Sequence, residues 1–380
     1  MLPKTATSAP FSIMASGSPV TPCATSANWK RCGRPTMPLG GFEINMTQKS
    51  QTKERRWIKH VIGGGITLIC LIAIFRLVKF SEVMEALEHF QWRYLILGIL
   101  SLGFGYAVRI FRWSVMLSAT GTHVGFKNCA APFLGAIALN NVLPLRLGDV
   151  VRALVFPYAM GVTKTAATTS LVVERLIDLV TLLACLALGV LAIQTIEVPP
   201  ALRQTAVILA LLGGMALTVG FFFSGCFARL FHSLAGEQSD SVKPSRLQQI
   251  FHAVGGLFAS FDVMSRPRIL GTMLGLSVLV WVGEAGLFYF ALMGLGLDAS
   301  PLMALLVMAI ATLSTLAPSS PGYVGPFHLA AFTAVTLIGG SAAQAGSYAI
   351  IVHLALWLPT TIVGALAIWS RPALFKAART

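Results

Sequence analysis

Residues 94–117 read YLILGILSLGFGYAVRIFRWSVML. A bilayer core is crossed by about 20 consecutive apolar residues, and this run is long enough. Backbone groups in lipid must be hydrogen-bonded within the segment, so the run is expected to be a helix. Comparable runs lie at 58–78, 166–193, 206–223, 269–292 and 348–369. The whole chain of 380 residues is 56% hydrophobic and only 11% charged, with a mean hydropathy of +0.77. A soluble domain carries about 25% charged residues. So much apolar sequence cannot hide in one soluble core, because surface must still be covered by polar groups. The expected class is all-α, a polytopic membrane helix bundle.

Charge sets the expected orientation. Net charge is +14. In a soluble protein that would suggest nucleic acid, but no such motif is present, and basic loops beside anionic headgroups account for it. Residues 1–45 are rich in Pro, Ser and Thr and read as a disordered extension without a signal-peptide h-region. Met46 opens MTQKSQTKERRWIK and is the expected natural start, with 46–57 a cytoplasmic basic segment. Residues 58–370 form the expected transmembrane domain. Glu82, Glu85 and Glu88 within 79–93 have the spacing of a short interfacial helix. Residues 225–268, with Arg229, Lys243, Arg246, Arg266 and Arg268, are expected to be a large cytoplasmic loop. The last residues, RPALFKAART (371–380), are expected to be a cytoplasmic tail, so both termini lie inside a bacterial-type inner membrane. The six cysteines (23, 32, 70, 129, 185 and 226) show no CxxC pair or metal spacing. No Walker motif is present. No cofactor or metal is expected.

Two stretches interrupt the pattern. In 128–160 the short apolar run CAAPFLGAIALNNVL meets PLRLGDVVR and then ALVFPYAMGV. In 301–340 two short runs flank APSSPGYVGP. Pro318 and Pro321 remove helical donors, and Gly322 and Gly325 allow left-handed backbone. Both stretches read as broken or re-entrant hairpins, the first dipping in from the cytoplasm and the second from outside. Two opposed broken segments are what an inverted repeat gives. Full crossing by both remains an alternative that also leaves the termini inside.

Charges within such segments cost about 2.5–3.5 kcal/mol each on insertion scales, so each calls for a partner or a function. Arg109 and Arg112 share a helical face, as do Glu174 and Asp178, with Arg175 beside them. Arg146, Asp149 and Arg152 surround the first break. Glu284 sits mid-span, and His328 and His353 come late. One reading is a wet, charged cavity whose guanidinium forks match phosphate oxygens. The other is mutual neutralisation, Glu174 and Asp178 pairing with Arg175 and Arg146. For Arg109 and Arg112 the plainer reading is snorkelling to the interface. For His353 it is a hydrogen-bonded packing role.

Four motifs in order, RIFRWSVML (109–117), NNVLPLRLGDVVR (140–152), VVERLIDLV (172–180) and APSSPGYVGPFHLA (317–330), resemble the transmembrane region of the lysylphosphatidylglycerol synthase family, which is flippase-like. The likeness covers about residues 58–370. It implies functional roles for Arg112, Asn141, Pro144, Arg146, Gly148, Asp149, Arg152, Glu174, Arg175, Asp178, Pro318, Pro321, Gly322 and Gly325. His328 stands where the family often has an acid, which would suit a different lipid. The soluble aminoacyl-transfer domain of the synthases is missing from these residues, so lysine transfer is not implied. The function expected is a lipid translocase for a phosphate-bearing or related lipid. Arg146, Arg152 and Arg175 would hold the phosphate, and Glu174 and Asp178 would balance charge. The alternatives are a membrane enzyme on a lipid-linked substrate and an accessory subunit of a lipid- or hopanoid-biosynthetic enzyme. The partners expected are a membrane lipid and such an enzyme, with no nucleic acid.

Overall fold

The structure is a computed structural model. It describes residues 80–192, 200–235, 246–264, 266–317 and 320–376, together with positions 65, 67–70, 72–73 and 76. The chain divides into two units, Met1–Glu54 and Arg55–Thr380, and every described residue belongs to the second. The expected extension at 1–45, the basic segment at 46–57, most of the first span, Pro318, and the end of the tail lie outside the described residues.

Among the described residues the chain is helical and has no strand. A short helix, α1 (Phe80–Glu88), precedes α2 (Trp92–Ala119). The first broken stretch is α3 (Phe126–Val142), a 3-10 turn at Pro144–Arg146, α4 (Leu147–Leu154) and α5 (Phe156–Met160). Then come α6 (Lys164–Ala192), α7 (Pro200–Phe222), α8 (Ser224–Ala235), α9 (Arg246–Met264) and α10 (Pro267–Gly294). The second broken stretch is α11 (Pro301–Ser314), a 3-10 turn at Pro321–Tyr323 and α12 (Pro326–Leu337). Finally come α13 (Ala342–Trp369) and α14 (Ala373–Lys376).

Three described helices, α2, α10 and α13, are each 28 residues and apolar enough to cross a membrane. Helix α6 has 29 residues and carries the charges Glu174, Arg175 and Asp178 in its middle. Large apolar side chains such as Leu100, Leu211, Met215, Val282 and Leu354 are exposed on the outside of the bundle. That is the arrangement expected when the solvent is lipid, where apolar surface carries no penalty.

Helix length explains why the two broken stretches are hairpins. At 1.5 Å per residue, the 17 residues of α3, the 14 of α11 and the 12 of α12 fall short of a hydrocarbon core about 30 Å thick. The breaks between them meet. Pro144 and Pro321 each start a 3-10 turn. Arg146 and Tyr323, the two non-glycine residues with positive φ among those described (52° and 60°), lie against each other with the guanidinium 5.5 Å from the ring centre. Thr67 clamps the second break, its hydroxyl donating to the Val324 carbonyl (3.0 Å) and accepting from the Ser320 amide (3.2 Å).

Small residues permit a close crossing between α2 and α10. A Cβ on Gly283 would lie 2.6 Å from Gly105 Cα, and Ser101 Oγ donates to the Gly283 carbonyl at 2.9 Å. The segment read as a large loop is a correction: 225–268 folds mostly into α8 and α9. Their apolar faces meet through stacked Phe231 and Phe258 (5.6 Å). Phe261 and Met264 of α9 then join the core of Met116, Val173, Ile177 and Met273. Of the basic residues that suggested a loop, Arg246 starts α9 and Arg266 and Arg268 flank the start of α10, while Arg229 lies within α8 and Lys243 lies outside the described residues.

Candidate functional site

The intramembrane charges are assembled by α2, α3, α4, α6 and α10. Arg112 is wholly buried and forks onto Asp178, at 2.7 and 3.2 Å, while also donating to Ser277 Oγ at 2.7 Å. The nitrogen that meets Asp178 at 3.2 Å also lies 3.8 Å from Glu174. Arg152 is equally buried and forks onto Glu174. Its guanidinium lies against the rings of Trp113 and Phe133, 4.6 Å from each centre. Stacking of this kind suits the planar guanidinium and would not suit a lysine. Trp113 is oriented in turn by its indole N–H on Ser170 Oγ at 3.1 Å.

Arg175 follows Glu174 in sequence but points away from it, since neighbours on a helix do not share a face. It donates to both oxygens of Asp149, at 2.9 and 2.8 Å. Asp149 is fixed by Asn140, which donates from Nδ2 (3.0 Å) and accepts the Asp149 amide (3.0 Å). This close contact of α3 with α4 depends on Gly148, where a Cβ would fall 1.9 Å from the Ala136 carbonyl. Arg109 reaches Glu284 at 2.5 Å and lies over Trp281 (5.0 Å) and Tyr106 (5.5 Å). Neither Arg109 nor Arg112 snorkels: both turn inward to acids.

A cavity of about 190 Å³ opens where the two breaks meet. Its wall includes Arg109, Asn140, Asn141, Arg146, Arg175, Asp178, Glu284, Thr315 and Tyr323. Asn141 donates to Thr360 and Thr361 (3.1 and 2.9 Å), and its carbonyl accepts from Trp357 at 3.3 Å. Arg146 donates to the Thr315 carbonyl (3.2 Å) and hydroxyl (3.1 Å), and no acid pairs with it among the described residues. Around the site, five guanidiniums face four carboxylates, and Arg146 is the one left over.

Of the residues expected from the sequence, Asn141, Arg146, Arg175 and Asp178 line the cavity. Arg112, Arg152 and Glu174 are buried behind it, and Asp149 is held between Arg175 and Asn140. Pro321, Gly322 and Gly325 shape the second break and place Tyr323 on the wall. His328 stands behind that break, bonded to His353 at 3.0 Å. The acids pair with Arg152 and Arg112, not with Arg175 and Arg146. The sequence reading did not place Tyr106, Trp281, Thr312, Thr315 or Tyr323 on the site. A tyrosine forced to positive φ by Pro-Gly before it was the available signal for the last. Among the described residues no group of three or more His, Cys, Asp and Glu could hold a metal.

No curated protein matches the chain. The profile of the lysylphosphatidylglycerol synthase TM region matches residues 60–364, which takes in both breaks and every arginine and acid of the site. The chain is therefore a membrane protein belonging to the lysylphosphatidylglycerol synthase transmembrane-region family.

Proposed function

We propose that this protein is an inner-membrane lipid translocase that receives the phosphate of a lipid headgroup in the cavity between the two breaks. One observation carries the reading: Arg146 projects a guanidinium with no acid partner into a cavity whose other described charges are paired. An unpaired guanidinium at membrane depth is costly, and a phosphate offers oxygens for its planar fork. Arg175, a third exposed, and the fixed Asn141 stand on the same wall as secondary contacts. The volume, below the roughly 300–1,000 Å³ of a site for a drug-sized ligand, suits a headgroup and not a whole lipid. The acyl chains would stay among the exposed apolar faces. Arg112, Arg152 and Glu174 act as the frame. An enzymatic role would need a carboxylate free to act as a base, and Asp149, Glu174, Asp178 and Glu284 are each held by an arginine.

The test is translocation of a fluorescent phosphatidylglycerol in vesicles containing the purified protein. Arg146→Gln is expected to lower the rate at least about tenfold, the equivalent of one charged hydrogen bond. Arg146→Lys should recover only part of it, since a point charge replaces the fork. Wild-type rates in both variants would remove Arg146 from the site.

A further inference from the structure

Two histidines that the cavity does not use stand behind the second break. His353, on α13, places Nε2 2.9 Å from the Gly322 carbonyl oxygen. Its Nδ1 lies 3.0 Å from Nε2 of His328, on α12. A carbonyl oxygen only accepts, so His353 carries its N–H on Nε2. A neutral imidazole has one N–H, so His353 Nδ1 is a lone pair and His328 Nε2 must donate to it. That leaves His328 Nδ1 as a bare lone pair, buried and without a hydrogen-bond partner among the described residues.

We propose that the His328–His353 pair is a proton-binding site, filled at His328 Nδ1, and that its proton is linked to anion binding in the cavity. The linkage rests on the cavity reading above, whereas the proton site does not. The proton adds to a vacant lone pair, no bond breaks, and the pair gains one positive charge. Both existing hydrogen bonds survive, and the one between the two rings becomes charge-assisted. A second proton would set N–H against N–H across the 3.0 Å gap and split the pair, so the capacity is one. The link to the cavity is short. The pair holds the carbonyl of Gly322, whose φ is +78°, and the next residue, Tyr323, covers Arg146. A proton on one side of this turn and the guanidinium on the other are like charges, which an anion in the cavity relieves. Anion and proton should then raise each other's affinity equally, as any linked pair must.

The other ionisable groups described nearby are committed or remote. Tyr323 belongs to the turn itself and covers Arg146 of the first break, and Cys70 lies beside Gly325. Tyr348 on α13 donates to the Phe288 carbonyl, and Glu284 on α10 is paired with Arg109 on α2. Helix α11 has no ionisable residue, and α3 offers Asn140 and Asn141 at this end. Glu85 of α1 is exposed near Gln344, at the start of α13.

The test uses the full chain with isotope-labelled histidine, followed by NMR in detergent from about pH 8 to about pH 3.5, a window that includes the ordinary histidine range. The expected result is an Nε2-protonated His353 at the upper end and one proton uptake that His328→Gln lacks. Glutamine keeps an N–H toward His353 but has no basic nitrogen. Equal proton uptake in both proteins overturns the site, whatever the protein transports. In vesicles with fluorescent phosphatidylglycerol, wild-type translocation should change about fivefold or more between about pH 7.5 and about pH 5.5, the low end of ordinary coupling. The His328→Gln rate should be flat, and a wild-type-like profile in that variant overturns the linkage. Translocation by Arg146→Gln at the wild-type rate would instead sink the cavity reading and leave the NMR result to decide the proton site.

Discussion

Arg146 and Arg152 lie six positions apart and meet opposite environments. Arg152 is enclosed by Trp113, Phe133 and Glu174, and Arg146 faces a cavity and meets Thr315 and Tyr323, with no acid paired to it among the described residues. Their variants should therefore fail differently. Glu174→Gln leaves Arg152 without a counter-charge, while Arg112 keeps Asp178, and the loss costs roughly 3–5 kcal/mol in a buried site. A lowered melting temperature in detergent is expected, together with poor yield. Arg146→Gln should melt like the wild type, because it breaks no ion pair. Arg146→Ala combined with Asp149→Asn should stay as inactive as Arg146→Ala alone, since Asp149 belongs to Arg175. Recovery of translocation in the double variant would make Arg146 a structural counter-ion. At Gly148 the argument is purely steric. A methyl group 1.9 Å from the Ala136 carbonyl has no room, so Gly148→Ala should part α3 from α4 and yield little folded protein, visible as aggregation in size-exclusion chromatography.

At the scale of elements, the two breaks depend on each other. Tyr323 has a backbone conformation that costs about 1–3 kcal/mol outside glycine, and it is kept there with its ring over Arg146. Tyr323→Gly would relax the backbone and remove the ring. It should raise or preserve thermal stability while lowering translocation, and a loss of stability without a change in rate would show that the ring only fills space. Much of this was legible in the chain. Helix lengths followed from apolar runs, as for α2, α6 and α10, and the breaks followed from Pro and Gly. The partners of the charges were not legible. Periodicity shows that Glu174 and Asp178 share a face, but not that the face turns toward Arg112 and Arg152, because that depends on how α6 packs against α2 and α4. Residues 225–268 read as a loop because their charges outweighed their apolar positions. Those positions, Phe227, Phe231, Phe258 and Phe261, serve α8 and α9 against each other and the core.

For the whole molecule, orientation is the open quantity that the basic residues address. The segment joining α8 to α9 and the carboxyl end are expected on the cytoplasmic side. A single cysteine at Asp240, in a protein otherwise free of cysteine, should escape a membrane-impermeant reagent in intact cells and react after lysis. Efficient reaction in intact cells would invert the whole bundle. The distribution of the ion pairs also bears on how the chain is made. Arg112 meets an acid 66 positions later, and Arg109 meets one 175 positions later. Helix α2 therefore leaves the ribosome with Arg109 and Arg112 in its second half and no acid to receive them, at a cost of about 2.5–3.5 kcal/mol each if it enters lipid alone. It should linger at the membrane surface or in the insertion machinery until α6 arrives, and settle fully only with α10. In nascent chains halted before Glu174, a cysteine placed in α2 should thus react with a water-soluble maleimide, while in chains halted after Glu284 it should be shielded. The order of synthesis and the order of embedding are then different sequences of events in this protein.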